Sequence, residues 1–176
     1  IHGIVTSYRG IVTCESTPGE GTTFRIALPA TDQEMESAAP EVEASLLGTE
    51  RLLLIDDEQL LADLGQTMLE RLGYSVTVYT SSTEALAAFL ARPDWFDAVI
   101  TDQTMPDMTG FDLARRMLAV RPDLPIILCT GYSSLVSREN ALAMGIQGFA
   151  FKPLTQKEIA SLLRTVLERG RRVADT

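Results

Sequence analysis

Five short apolar runs punctuate the chain after residue 50, at 52–55, 75–79, 98–101, 126–129 and 148–151, each bounded by turn or acidic residues. Runs of four or five aliphatic, β-branched or aromatic residues are too short for helices and predict strands. Between them apolar residues recur at helical spacing, as in Leu60, Leu61, Leu64, Met68 and Leu72, and again in Leu154, Ile159, Leu162, Leu163 and Val166. These stretches predict amphipathic helices. Two helices open on a capping-box pattern, Ser81-x-x-Glu84 and Thr155-x-x-Glu158, in which side chains satisfy the first free amides of the helix. Near-continuously apolar strands alternating with helices imply an α/β fold. Its centre is a doubly wound, five-stranded parallel sheet, because each crossover returns the chain to the same end of the sheet.

The first fifty residues follow another pattern. Residues 11–15 and 22–28 alternate in polarity, and Pro18-Gly19-Glu20-Gly21 between them supplies a turn, which predicts a β-hairpin. Residues 31–50 carry six acids and no base, and they include Ala38-Ala39-Pro40. Repulsion among those carboxylates predicts an extended, solvated linker. The expected organisation is therefore a hairpin segment (1–30), an acidic linker (31–49), the α/β domain (50–172) and a short tail (173–176). Thirty residues cannot bury a sufficient core alone, so the hairpin should fray, pack on the larger domain or pair its edges with another molecule.

Charge narrows the function. Lys and Arg number 15 against 24 Asp and Glu, a net charge of -9. That balance argues against nucleic-acid or anionic-membrane surfaces and suits metal cations or basic partners. No apolar run approaches the roughly 20 residues of a spanning helix, and the first residues lack an export signal. The expected location is cytoplasmic, with a membrane-anchored parent chain still open. Cys14 and Cys129 form no repeating framework. They are expected to be unpaired packing residues in a reducing compartment.

The candidate chemistry lies where the strands end. The first strand runs into Asp56-Asp57-Glu58, the third into Asp102, the fourth into Thr130 and the fifth into Lys152-Pro153. In a parallel sheet these carboxyl ends form one rim, and ligands bind where strand order reverses. Three carboxylates, a hydroxyl and an ammonium should share that cleft. Acids so close repel each other, and a hard divalent cation with oxygen ligands, Mg²⁺, would relieve the repulsion. No His or Cys accompanies them to suit zinc. A carboxylate beside Mg²⁺ and a fixed ammonium is suited to taking up a phosphoryl group, giving an aspartyl phosphate.

Ile55-Asp56-Asp57-Glu58, the run Ile100-Thr101-Asp102-Gln103-Thr104-Met105-Pro106-Asp107-Met108-Thr109-Gly110, Cys129-Thr130-Gly131 and Phe151-Lys152-Pro153 together resemble the receiver domain of two-component response regulators. The resemblance implies a flavodoxin-like sheet of strand order 2-1-3-4-5. It makes Asp102 the phosphoacceptor and gives the Mg²⁺ site to Asp57, Asp102 and the Thr104 carbonyl, with Asp56 acting largely through water. Lys152 would pair with the phosphoryl group, Thr130 would donate a hydroxyl to it, and Phe149 would occupy the aromatic switch position with Thr130. The Lys152-Pro153 peptide is typically cis in that family. Thr104 and Tyr132 flank the site, and neither is a strong general base, so the phosphorylated state is expected to be not very short-lived.

The segment His2-Gly-Ile-Val-x-x-Tyr8-Arg9-Gly10, then Gly19-Glu20-Gly21-Thr22-Thr23-Phe24 and Arg25-Ile26-Ala27-Leu28-Pro29, resembles the C-terminal end of the ATP-binding domain of histidine kinases. The motifs that hold Mg-ATP and the phosphodonor helix are absent, so this fragment should not autophosphorylate. His2 lies in no phosphodonor context. The implied parent is a hybrid sensor histidine kinase. Its receiver would take a phosphoryl group from a phosphohistidine on a kinase core or a histidine phosphotransfer protein; a homodimer is also compatible. The enzymatic alternative is a Mg²⁺-dependent aspartyl-phosphate phosphatase or phosphotransferase on small phosphate esters. Such enzymes use Asp-x-Asp-x-Thr, and here Gln103-Thr104 follow the acceptor, so the second acid is missing. A third reading is a receiver-like fold kept only for interaction; the complete set of acids, Thr and Lys argues against it.

Overall fold

The computed structural model describes residues 5–6, 9–19, 21–30, 46–131 and 138–174. Along the chain run β1 (Ile11–Thr17), β2 (Gly21–Ala27), β3 (Arg51–Ile55), α1 (Gln59–Glu70), β4 (Ser75–Tyr79) and α2 (Ser82–Ala91). They are followed by β5 (Ala98–Asp102), α3 (Gly110–Val120), β6 (Ile126–Thr130), α4 (Arg138–Ala143), β7 (Gly148–Phe151) and α5 (Gln156–Ala174). The contacts divide the chain into two units, Ile1–Glu41 and Val42–Thr176.

In the larger unit all five apolar runs pair in parallel, in the spatial order β4-β3-β5-β6-β7. This is the 2-1-3-4-5 order expected. The two-residue period of a strand explains how one run serves two cores. On β3, Leu53 and Ile55 join Phe89, Met117 and Leu128 on one face, while Leu52 and Leu54 join Ile100, Ile127 and Leu163 on the other. Fully burying one such side chain contributes about 1.5–3 kcal/mol, so the central strands dominate the stability of the domain. Both capping motifs form. Ser81 Oγ accepts the Glu84 amide at 3.4 Å. Thr155 and Glu158 exchange bonds in both directions, Glu158 N–H to Thr155 Oγ1 at 3.3 Å and Thr155 N–H to Glu158 Oε2 at 2.8 Å.

The structure departs from the sequence reading at several points. The first part of the α1 apolar stripe is open, with Leu60 82% exposed and Leu64 51%, whereas Leu72 at its end is fully buried; within the helix Ala62 and Leu69 are the covered residues. Helical period shows which residues share a face, but not whether a neighbour covers it. β5 and β6 each run one residue further than expected, which makes Asp102 and Thr130 strand residues. α5 continues to Ala174, past the expected domain end at 172. Residues 132–137, just before α4, lie outside the described residues.

The smaller unit contains the predicted hairpin. Its register runs from Ile11 opposite Ala27 to Thr17 opposite Gly21. Gly19 has φ +81° and Gly21 φ +110°, left-handed values that favour glycine at this turn. Val12, Cys14, Phe24 and Ile26 share one face of the ribbon, and Phe24 is 67% exposed. Cys14 is exposed rather than a packing residue, because a two-stranded ribbon has no second layer to cover it. His2 and most of the acidic linker, residues 31–45, lie outside the described residues. Among the described residues no helix is long and apolar enough to cross a membrane.

Candidate functional site

Parallel strands end on a common edge, and the polar residues there are fixed by main-chain bonds just beyond the strands. Asp56 N–H donates to the Tyr79 carbonyl at 3.2 Å, and Lys152 N–H to the Thr130 carbonyl at 2.8 Å. These bonds fix where the two side chains start. The Lys152 Nζ then lies 2.5 Å from Asp56 Oδ2 and 2.5 Å from Asp102 Oδ1. The other carboxylate oxygens are also engaged: Asp56 Oδ1 accepts the Glu58 amide at 3.1 Å, and Asp102 Oδ2 accepts the Thr104 amide at 2.6 Å. Asp56 and Asp102 are 6% and 7% exposed. Burial works against the charge of Lys152, but its hydrogen bonds to Asp102 and Asp56 outweigh that and hold its pKa above the ordinary lysine value. The Lys152–Pro153 peptide is cis, as the resemblance implied.

Of the other expected site residues, Thr104 reaches this cluster through its main-chain amide and not its side chain. Asp57 and Thr104 are exposed. The Thr130 side chain is fully buried, and its hydroxyl donates to the neighbouring Gly131 carbonyl at 3.1 Å rather than to the acids. Phe149 is half-buried against the core and meets Phe151 edge-on, with ring centroids 5.3 Å apart. Tyr132 lies outside the described residues. Among the described residues no three His, Cys, Asp or Glu side chains stand together as a metal cage. The sequence reading assigned the relief of charge repulsion to a cation; here an ammonium relieves it for two of the three acids.

The donor chemistry nevertheless fits a hard divalent ion. Asp56, Asp57, Asp102 and the Thr104 carbonyl offer oxygen alone. The thiol of Cys129, on β6, borders the site, but burial pushes its pKa up to about 12. In the metal-free protein it is therefore protonated.

Two residues that shape the site were not singled out from sequence. Gln103 is 7% exposed and makes three bonds: N–H to the Cys129 carbonyl at 2.8 Å, its own carbonyl to the Gly110 amide at 3.1 Å, and Oε1 to the Phe111 amide at 3.1 Å. Gly110 opens α3 so close to β5 that a Cβ there would collide with the Asp102 carbonyl oxygen. Gly110 appeared in sequence only as the end of a motif, and nothing local marks Gln103, because its partners lie 7 to 26 positions away. A cavity of about 440 Å³ also adjoins the cluster, with Asp56, Asp102 and Lys152 at one end and Leu61, Leu64 and Met68 along α1.

Comparison with known proteins agrees with this geometry. The family described as "Response regulator receiver domain" matches residues 52–164. "Sensor kinase CckA" of Brucella abortus is 32% identical over 96% of this chain, and "Sensor protein EvgS" of Escherichia coli is 32% identical over 97% of it. The chain spans only 19% and 14% of those two proteins. The "Transcriptional regulatory protein CreB" of Escherichia coli is 35% identical over 68% of the chain, which spans 52% of it. Among solved structures, a response regulator receiver domain protein from Clostridium thermocellum superposes with TM-score 0.68 at 29% identity, covering 70% of this chain and 98% of its own. A CheY-like receiver from Methanospirillum hungatei gives TM-score 0.65 at 26% identity, covering 71% of this chain and 98% of its own.

Proposed function

The chain belongs to the response regulator receiver family, and from that premise we propose that its residues 50–172 accept a phosphoryl group on Asp102. As a receiver it is a module of two-component signalling. The observation that carries the site assignment is the Lys152 ammonium held 2.5 Å from both Asp56 and Asp102. An Asp102 oxygen attacks phosphorus in line. The O–P bond forms as the P–N bond of a phosphohistidine breaks, and the leaving imidazole keeps the electron pair and takes a proton. Lys152 then offsets charge on the transferred oxygens.

Mg²⁺ on Asp56, Asp57, Asp102 and the Thr104 carbonyl supplies further positive charge when bound. Thr130 turns from the Gly131 carbonyl toward the phosphoryl group. Phe149 repacks with it, altering the surface that α4, β7 and α5 present to a partner. The donor is a histidine kinase core or a histidine phosphotransfer protein. The hairpin is the C-terminal end of a kinase ATP-binding domain, a reading supported by its exposed Phe24 and Ile26 and by sensor relatives whose similarity extends over nearly the whole chain. The parent is then a hybrid sensor kinase.

Incubation with acetyl phosphate and Mg²⁺ followed by intact mass tests the site. One phosphoryl addition is expected on the wild type and none on Asp102→Asn. An addition that survives in Asp102→Asn, or none on the wild type, removes the assignment.

A further inference from the structure

We propose that Gln103 is a positioning residue for phosphoryl acceptance: its side-chain amide fastens the base of the β5–α3 loop and so sets where the Asp102 carboxylate and the Thr104 main chain stand. The inference rests on the site reading above.

The loop leaves β5 at Asp102 and returns at Gly110, where the two backbones approach so closely that no Cβ fits. Gln103 is bonded at that junction on three sides, to β6 through Cys129, to the loop's return through Gly110, and to the first turn of α3 through Phe111. The first amides of a helix have no partner within it. Two are satisfied differently here. Thr109 Oγ1 caps the Asp112 amide from within the helix's own start, at 3.1 Å. Gln103 Oε1 caps the Phe111 amide from across the loop, so it ties the helix to the residue covalently next to the acceptor. The Thr104 amide, one peptide further on, holds Asp102 Oδ2 at 2.6 Å. Any rotation of the Gln103–Thr104 peptide therefore moves the Thr104 amide that holds the acceptor carboxylate, and with it the main chain that leads to the Thr104 carbonyl. Leu or Met would fill the same buried space without desolvating an amide, so the polar side chain is retained for its bonds.

The test compares Gln103→Met, Gln103→Asn, Gln103→Glu and Thr109→Ala in the full chain. Mg²⁺ affinity is measured by calorimetry, acceptance from acetyl phosphate by intact mass, and amide hydrogen exchange at Thr104 and Phe111 in Mg²⁺-free protein. Gln103→Met should weaken Mg²⁺ binding or acceptance by about tenfold or more, the range seen when supporting groups around a metal are removed. It should also speed exchange at both amides. Gln103→Glu keeps the acceptor oxygen and should bring exchange at Phe111 back toward the wild-type rate, while Mg²⁺ affinity in that variant also carries the added charge beside Asp102. Thr109→Ala destabilises the same helix without touching the loop base, and should leave Mg²⁺ affinity unchanged.

Gln103→Asn keeps the amide but falls one methylene short of Phe111. It carries the test with less risk to folding and should show an intermediate loss. Wild-type values from Gln103→Met or Gln103→Asn, or an equal loss from Thr109→Ala, overturn the proposal. If the wild type itself neither binds Mg²⁺ nor accepts a phosphoryl group, the site reading fails and this inference fails with it, an outcome separate from a failure confined to the variants.

Discussion

Asp102 ends β5 and Lys152 directly follows β7, strands that do not touch because β6 runs between them, and yet Nζ lies 2.5 Å from Oδ1. Two strand spacings amount to about 10 Å, a gap that a lysine stem and an aspartate can close only if both rise from the same edge. The common edge is a consequence of parallel pairing. The Lys152 N–H bond to Thr130 sets the starting point of the reach.

Replacing Lys152 by Met leaves Asp56 and Asp102 facing each other with no ammonium between them. Breaking a fully buried pair costs about 3–5 kcal/mol, but Lys152 keeps some contact with water, so a loss of about 1–3 kcal/mol is expected in urea unfolding. Millimolar Mg²⁺ should recover more of that stability in the variant than it adds to the wild type. Acceptance from acetyl phosphate should fall by about a hundredfold, since one charge aimed at the transferred oxygens is lost. Unchanged unfolding and an unchanged rate together would show that the ammonium is incidental.

Gly110→Ala should damage the same site from behind. The added methyl meets the Asp102 carbonyl oxygen, a main-chain atom that cannot swing away, and crowds a terminal methyl of the fully buried Leu128. An overpacking cost of about 1–3 kcal/mol is expected, together with slower acceptance. Urea titration and intact-mass time courses on one preparation check both effects. A stable variant with a wild-type rate would mean that the α3 entry yields freely.

The sheet could be read from sequence because central parallel strands are buried on both faces and show as short apolar runs bounded by turn or acidic residues, with only the edge strand Ser75–Tyr79 alternating in polarity. Asp56, Asp102, Thr130 and Lys152 followed, since each is the first polar residue after a run or its last member. Less local features did not show. Leu60, Leu61 and Leu64 have core spacing on α1, but Leu61 and Leu64 border an open cavity and Leu60 faces solvent, a matter of neighbouring helix placement that period cannot encode. The pairing of Lys152 with both acids was also hidden, because sequence gives the charges at an edge without saying which of them meet.

Acid should weaken the domain partly through Glu50. Burial opposes its charge, but the Arg164 guanidinium and main-chain amides, including Thr49 N–H at 3.0 Å, outweigh burial and hold its pKa below the ordinary glutamate value. Arg164 Nη2 stands 2.6 Å from Oε1; its geometry is that of a close ion pair rather than an aimed hydrogen bond, since Nε and Nη2 both lack a well-directed acceptor. A depressed folded-state pKa contributes stability that is complete above the unfolded value and is lost as pH falls through the folded one. Glu50→Gln should thus be less stable than wild type by about 1 kcal/mol at pH 7, with the difference closing below the usual glutamate range. Urea midpoints from pH 7 to pH 3 measure it, and a difference independent of pH would count against the pair.

The two thiols should separate cleanly toward an alkylating reagent. Cys14 lies exposed on the hairpin, whereas Cys129 is buried on β6 with its pKa pushed up to about 12 by loss of solvent, so almost none of it is thiolate near neutral pH. Iodoacetamide at pH 8 should add once to the native chain and twice after denaturation, as read by intact mass. Peptide mapping should place the first addition on Cys14. The second addition to the native protein then reports opening of the sheet edge beside Asp102. Lys152→Met and Gly110→Ala should accelerate it in proportion to their loss of stability, because modification of a closed core waits on the opened state. Rapid double labelling of the stable wild type would instead mean that Cys129 is reached through the cavity lined by α1, without any opening.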